Sequence, residues 1–406
     1  MSTDDPTLRR REFLVGAALA GLTGALPRAS ADAADDPPRV RRRVPLGRTG
    51  LEISDVSFGS SRLRDDEALV RHAFDRGINY FDTAESYTGG VSETTIGKAL
   101  RGKRDRIVLA TKVETSADTK REALMHALEG SLRRLQTDHV DVYFNHAVND
   151  VGRLKNPEWH AFVADAKRQG KIRFVGMSGH AGRLVECLDH ALDTQQVDVV
   201  LVAYNFGQDP AFYERLLEGF DSIRVQPDLP RVLAKAKAAG VGVVAMKTLL
   251  GARLNDMRPY EAPGGTFAQA AFRWVLSRPD VDALIVSMTS PAQIDEYLAA
   301  SGATHVRRAD AALLRRYAAL QAGAYCRHGC DACEGSCPSG VPIAEVLRTR
   351  MYAVDYGDLG LARAEYAALG APASACATCT ARTCAGACPH GLAIGRMTDE
   401  AHRLLT

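Results

Sequence analysis

The chain has 406 residues, with 51 Lys and Arg against 49 Asp and Glu and a formal charge of +2. That balance removes any global electrostatic case for nucleic acid, and 46% hydrophobic content suffices for a large core. The length exceeds one ordinary domain but suits a large barrel with a small appendix.

The first residues do not read as fold. Leu8–Arg9–Arg10–Arg11–Glu12–Phe13–Leu14 precedes a short apolar run, Val15 to Leu26, and then Ala29–Ser30–Ala31, a small-x-small cleavage pattern. The run is too short for a stable bilayer span. The arginine pair before x-Phe-Leu is similar to a twin-arginine export signal; an ordinary secretory signal with a basic start is the alternative. Residues 1–31 are thus expected to engage the twin-arginine export machinery, making the protein periplasmic or otherwise exported by that pathway. No membrane span is expected after processing. Residues 32–43 are expected to be a Pro- and charge-rich linker, with the basic run Arg39–Val40–Arg41–Arg42–Arg43 solvated.

From Val44 to Ser301, short β-branched runs alternate with amphipathic segments. The runs are Val56–Gly59, Ile78–Ala84, Ile107–Val113, Val140–His146, Ile172–Ser178, Val197–Tyr204, Val241–Lys247 and Val281–Met288. Nearly continuous apolar character is expected of parallel strands buried on both faces. Lys120–Leu135, Pro157–Gln169 and Gln269–Ser277 read as helices between them; Leu124, Leu128, Leu132 and Leu135 share one face. The repeat of about thirty residues is that of a βαβ unit. An α/β fold with an eight-stranded (β/α)8 TIM barrel over residues 44–301 is the simplest architecture. A doubly wound sheet is the runner-up, but no G-x-G-x-x-G follows an early strand.

Chemistry in such a barrel sits at the C-terminal strand ends. There the sequence places Asp82 with Tyr87 shortly after it, Lys112, His146, and Ser178–Gly179–His180. These residues would form an acid–base set. A cation near a phenol lowers its pKa, a carboxylate fixes the cation, and an imidazole orients a carbonyl. Each alone is more often a cap, a packing group or a solvated charge. The loops 207–229 and 251–265, with Phe206, Phe212, Tyr213, Arg253, Arg258 and Tyr260, are expected to line the mouth.

The stretches G-I-N-Y-F-D-T-A-E-S-Y, G-G-V-S-E-T-T-I-G-K-A-L, V-L-A-T-K, V-D-V-Y-F-N-H and K-I-R-F-V-G-M-S, after the opening R-V-P-L-G-R-T-G-L-E-I-S, resemble the aldo/keto reductase superfamily. The resemblance runs in order over residues 44–298. It implies a barrel that binds a nicotinamide nucleotide, NADH or NADPH, without a Rossmann domain. Tyr87 would be the general acid, Lys112 and Asp82 its tuning pair, and His146 the carbonyl-orienting group.

There are departures from the family pattern. Ser178–Gly179 stands where Ser-Asn holds the carboxamide, Leu201 where a glutamine is usual, and Met246, followed by Lys247, where an aromatic often stacks on the nicotinamide. Ser287 and Gln293 stand where NADP-using members carry a lysine and an arginine. Without a cationic partner, a 2′-phosphate loses charge-assisted bonds. NADPH preference is not expected.

Residues 302–325 read as a connecting helix segment, and 326–406 hold eight of the nine cysteines. Cys326, Cys330, Cys333 and Cys337 form C-x3-C-x2-C-x3-C-P; Cys376, Cys379, Cys384 and Cys388 form C-x2-C-x4-C-x3-C-P. Disulfides, four-thiolate zinc sites and iron–sulfur clusters all compete. The C-x3-C-P endings favour the bacterial ferredoxin run, in which the fourth cysteine serves the other cluster. Each segment also has one gap longer than that run. The tail resembles the ferredoxin-like domain of a subgroup of aldo/keto reductases. By the ferredoxin rule, two 4Fe-4S clusters would be held by Cys326, Cys330, Cys333 and Cys388, and by Cys376, Cys379, Cys384 and Cys337. Asp310–Gln321 and Ile343–Leu369 read as packing helices, and Cys187 as a buried structural thiol.

The expected function is that of an exported oxidoreductase acting on a small carbonyl or alcohol, with an electron carrier as a further partner. The alternative is a non-nucleotide electron-transfer or redox-sensing protein that uses the barrel as scaffold.

Overall fold

The computed structural model describes residues 37–180, 183–209, 228–249, 257–262, 265–321, 326, 330, 332–354, 359–370 and 372–406. Residues 1–37 and 38–406 form separate units. The expected export signal, residues 1–31, lies outside the described residues.

A hairpin, β1 (Arg43–Pro45) with β2 (Glu52–Ser54), precedes eight parallel strands. These are β3 (Val56–Gly59), β4 (Tyr80–Asp82), β5 (Val108–Val113), β6 (Val140–Asn145), β7 (Ile172–Gly179), β8 (Val199–Ala203), β9 (Gly242–Met246) and β10 (Ala283–Ser287). They close in chain order, with β10 pairing both β9 and β3. The expected runs each hold a strand; several overshoot it by a residue or two where apolar character continues into the flanking turns.

The helices α1 (Glu67–Asp75), α2 (Val91–Ala99), α3 (Arg121–Leu135), α4 (Val151–Leu154), α5 (Pro157–Arg168), α6 (Leu184–Asp193), α7 (Leu229–Ala238), α8 (Phe267–Leu276) and α9 (Pro291–Leu298) surround the barrel. Their starts are written locally. Asn156 caps α5 ahead of Pro157, and Thr266 with Gln269 forms a capping box on α8. Cys187 is fully buried in α6, which pushes its thiol up to about 12.

Two apolar layers result. Tyr80, Val108, Val142, Phe144, Leu201, Val244 and Ile285 fill the barrel interior, joined by Val44, Leu46, Leu51 and Ile53 of the hairpin segment. The hairpin therefore plugs the barrel end opposite the C-terminal strand ends. The outer layer packs strands against helices and takes in Leu314 and Tyr317 of α10 (Arg308–Gln321). Tyr317 stacks on Phe267 with centroids 4.5 Å apart.

Two expectations need correction. The segment before Val44 is not a free linker: the Val40 amide donates to the Arg76 carbonyl and the Arg41 amide to the Ser301 hydroxyl. Its arginines remain exposed, so the charge reading holds while the backbone is tied down. The helix expected over Ile343–Leu369 is two helices, α11 (Ile343–Val354) and α12 (Leu359–Ala368), packed on each other. Residues 355–358 between them lie outside the described residues. Helical periodicity on both sides of residues 355–358 makes the sequence read as one helix.

α11, α12 and α13 (Ile394–Leu405) form their own small core, with Val346, Leu347, Tyr366, Ile394, Leu405 and Cys333 buried. Among the described residues no helix is long and apolar enough to cross a membrane.

Candidate active site at the barrel mouth

One cavity lies at the C-terminal ends of the barrel strands. Asp82 ends β4, Lys112 is next to last in β5, His146 follows β6, Ser178 is next to last in β7, Met246 ends β9 and Ser287 ends β10. All of these, with Tyr87 and Lys247, line the same cavity.

Lys112 is buried, and its ammonium donates to the Asp82 carboxylate at 2.5 Å and to the Thr83 carbonyl at 2.6 Å. Burial lowers Lys112 and raises Asp82, and each partner opposes the shift of the other. The same ammonium lies 4.9 Å from the Tyr87 ring centroid, and the Tyr87 and His146 rings meet edge to face at 5.6 Å.

The expected lowering of Tyr87 is not what the geometry gives. Burial, then the Asp82 charge, pushes the phenol well above its ordinary value. Lys112 spends its hydrogen bonds on Asp82 and Thr83 rather than on the phenol oxygen. Tyr87 thus holds its proton throughout the neutral range. His146 is pushed the other way: burial and the Lys112, Arg153 and Lys247 cations hold it well below the usual histidine range. A neutral imidazole beside a protonated phenol suits a site that donates hydrogen bonds to a carbonyl oxygen. Glu114 stands 3.6 Å from His146 Nδ1.

The nucleotide-binding expectations divide. The Ser178 hydroxyl accepts from the Ala147 amide at 2.9 Å, which leaves its own proton for a ligand. Gly179 lies outside the cavity lining. A Cβ there would come 2.5 Å from Leu184 Cδ1, so the family's asparagine would have to displace the Leu184 side chain. Leu201 is buried in the barrel interior. Ser287 lines the cavity but shares a 2.6 Å hydrogen bond with Ser61. Gln293 lies outside the cavity lining; it accepts from the Thr289 amide at 2.7 Å and donates to the Tyr297 hydroxyl at 2.7 Å.

Other residues of the wall escaped the sequence reading. Glu114 lies two positions beyond Lys112 and shares its side of the strand direction, a period-two signal that was available. Ser60, Ser61 and Arg62 follow β3, another strand end. Tyr352 of α11, and Leu361 and Glu365 of α12, also line the cavity, and nothing in helical periodicity marks them. Among the expected mouth residues, Phe206 is buried against Phe267 and Tyr317, and neither Arg258 nor Tyr260 lines the cavity. Phe212, Tyr213 and Arg253 lie outside the described residues.

A model of the family described as "Aldo/keto reductase family" matches residues 46–263, more than half of the chain. The chain belongs to the aldo/keto reductase family. It is an oxidoreductase. L-galactose dehydrogenase of Arabidopsis thaliana is 28% identical over 292 residues, covering 63% of this reductase and 86% of the relative. The uncharacterized oxidoreductase YrpG of Bacillus subtilis (strain 168) is 32% identical over 235 residues, covering 52% and 67%. The crystal structure of an aldo/keto reductase from Klebsiella pneumoniae in complex with NADP and acetate superposes with a TM-score of 0.54 at 26% identity. It covers 68% of this reductase and 96% of that chain.

Eight of the reductase's nine cysteines lie beyond the family match, and Cys187 lies within it. None forms a disulfide. Cys337, Cys376, Cys379 and Cys384 line one small pocket. Cys333 lies within electrostatic reach of Cys326, Cys330 and Cys388. Among the described residues, no group of three or more His, Cys, Asp or Glu is arranged to hold a metal ion.

Proposed function

We propose that this reductase interconverts a small carbonyl compound and its alcohol with a nicotinamide nucleotide. The observation that carries the proposal is the convergence of Asp82, Tyr87, Lys112 and His146 on one cavity. When bound, the nucleotide supplies or accepts the hydride. The chain does the rest. His146 donates a hydrogen bond that orients the substrate oxygen, and Tyr87 gives that oxygen its proton. The Asp82–Lys112 pair fixes the charge beneath the phenol.

The nicotinamide end of the nucleotide fits the Ser178 hydroxyl and the Met246 side chain at the cavity wall. The 2′-phosphate end is poorly served: Ser287 is neutral, and Gln293 is engaged with Thr289 and Tyr297. We therefore favour NADH over NADPH, although the Klebsiella relative was solved with NADP. The Arabidopsis relative's name makes a sugar one member of the substrate class. Calorimetric titration with both nucleotides tests this reading, together with turnover of Tyr87→Phe. Micromolar binding of NADH and a loss of about 10²-fold or more in turnover are expected. No binding of either nucleotide would favour the scaffold reading, in which the barrel carries electron transfer or redox sensing alone.

The tail is proposed as a ferredoxin-like domain, residues 326–406, with two 4Fe-4S clusters and an electron carrier as partner. Support comes from the C-x3-C-P repeats and from two groupings of thiols that follow the crossed ferredoxin rule. A four-iron cluster takes one thiolate at each corner, so its ligands stand wider apart than those of a single ion. Bound clusters would supply one-electron chemistry. Export through the twin-arginine pathway to the periplasm is proposed on residues 1–31 and would deliver the chain folded with its clusters. Iron and acid-labile sulfide on anaerobically purified protein test the clusters. About eight irons per chain are expected, and zinc in their place would make the tail a brace.

A further inference from the structure

We propose that Arg153, which lies outside the cavity lining, is a positioning residue for His146: its guanidinium clamps the strained turn that carries the imidazole to the barrel mouth. The clamp rests on geometry; its effect on turnover rests on the reductase reading above.

The chain leaves β6 at Asn145 and turns before α4. Within that turn Ala147 takes a φ of 51°, in the left-handed region that a Cβ disfavours. Alanine has no polar side chain to stabilise this conformation locally, so its surroundings must hold it. Asp150 caps α4 by accepting from the Gly152 amide at 3.0 Å, and the single helical turn brings Arg153 back against residues 145–147.

All three guanidinium nitrogens then donate. Nη2 reaches Asn145 Oδ1 at 2.9 Å and the His146 carbonyl at 2.6 Å, Nη1 the Ala147 carbonyl at 3.0 Å, and Nε the Thr115 hydroxyl at 3.2 Å. That hydroxyl donates in turn to Asn145 Oδ1 at 2.9 Å. One planar group thus bonds three consecutive residues, a pattern that a lysine ammonium cannot reproduce. From the other side, the His146 amide donates to the Val113 carbonyl at 2.8 Å and the Ala147 amide to the Ser178 hydroxyl at 2.9 Å.

The imidazole is placed through this backbone. Its Nδ1 stands 3.6 Å from Glu114, beyond hydrogen-bond distance, and its contact with Tyr87 is edge to face. Lys112 and Lys247 are the cations that face it besides Arg153, and Asp82 and Glu365 line the same cavity. A group that must meet a carbonyl oxygen loses its effect when displaced by about 1 Å.

The test uses the full chain with isotope-labelled histidine, the His146 signal being assigned from His146→Gln. Its NMR titration is compared in the parent, Arg153→Lys, Arg153→Met and Arg153→Lys combined with Ala147→Gly. Arg153→Lys keeps the cation and loses the fork. A ring released from its buried place regains water, so the His146 pKa should rise toward the ordinary histidine value in Arg153→Lys as well as in Arg153→Met. Glycine adopts the left-handed turn without a clamp, so the combined variant should return toward the parent titration. Turnover of propanal with NADH should fall by about 10²-fold in Arg153→Lys and recover in part in the combined variant. Arg153→Met is the change most exposed to misfolding, and Arg153→Lys decides the matter without it. A parent-like titration in Arg153→Lys would overturn the proposal by reducing Arg153 to a charge. Equal titrations with and without Ala147→Gly would overturn the role of the turn. Failure of the parent to reduce propanal would bear on the reductase reading only, and the titration would still decide the clamp.

Discussion

The Lys247 ammonium donates a 2.8 Å hydrogen bond to the Tyr352 hydroxyl across 105 residues of sequence and lies 5.0 Å from the centroid of that ring. This contact ties the end of a barrel strand to α11 of the C-terminal unit. One turn earlier on the same helix, the buried Arg348 guanidinium donates to the Cys330 carbonyl at 3.0 Å and to Glu345 at 2.7 Å. One helix thus faces the barrel-mouth cavity with one turn and the first cysteine segment with the turn before it, about 6 Å along its axis.

The Asp82–Lys112 pair should behave as a unit. Asp82→Leu leaves a buried ammonium without its counter-ion and should cost about 3–5 kcal/mol. Lys112→Met should cost a similar amount by stranding the carboxylate. The double variant should cost less than either single change. Urea unfolding at neutral pH measures all three, and near-additive losses would contradict the pairing.

His146 should make stability fall in mild acid. Its folded pKa is depressed, so as pH drops below ~6.5 the unfolded chain takes up a proton that the folded chain does not. The unfolded state then binds more protons, and stability present above ~6.5 is lost downward, by up to about 1.4 kcal/mol per pH unit from this group. His146→Gln should flatten that part of the profile. Unfolding midpoints between about pH 5 and about pH 7.5 decide it.

Gly179 should resist enlargement for reasons of space. Its Cβ would press on Leu184, which is itself buried, so Gly179→Ala should cost about 1–3 kcal/mol. In the Leu184→Ala background the same change should cost less, because the opposing methyl is gone. A double-mutant cycle with no coupling would show that the contact relaxes elsewhere.

Removal of the proposed iron should act on the tail first. The small core of α11, α12 and α13 includes Cys333 and is partly packed by five further cysteines, Cys326, Cys337, Cys376, Cys384 and Cys388. Metal binding there would be coupled to folding. Chelation under anaerobic conditions should raise amide exchange in residues 343–368 and 394–405 and leave β5 to β8 protected. Uniform exchange across both regions would show that barrel and tail open together.

The eight strands and their polar ends could be read from the sequence because each signal is local. A buried parallel strand is a continuous apolar run, and a barrel puts its chemistry at a fixed end of that run. Asp82, Tyr87, Lys112 and His146 were legible for this reason. Other features depended on contacts far apart in the chain and were not. Burial, which sets the Tyr87 and His146 proton affinities in opposite directions, is a sum over all neighbours. Gln293 bonds to Thr289, just before α9, and to Tyr297, one turn along it, and neither pairing is marked in the sequence. Tyr352 and Glu365 sit on helices whose apolar spacing reads as ordinary packing. Only the docking of those helices over the strand ends, with Lys247 as the anchor, makes them part of the site.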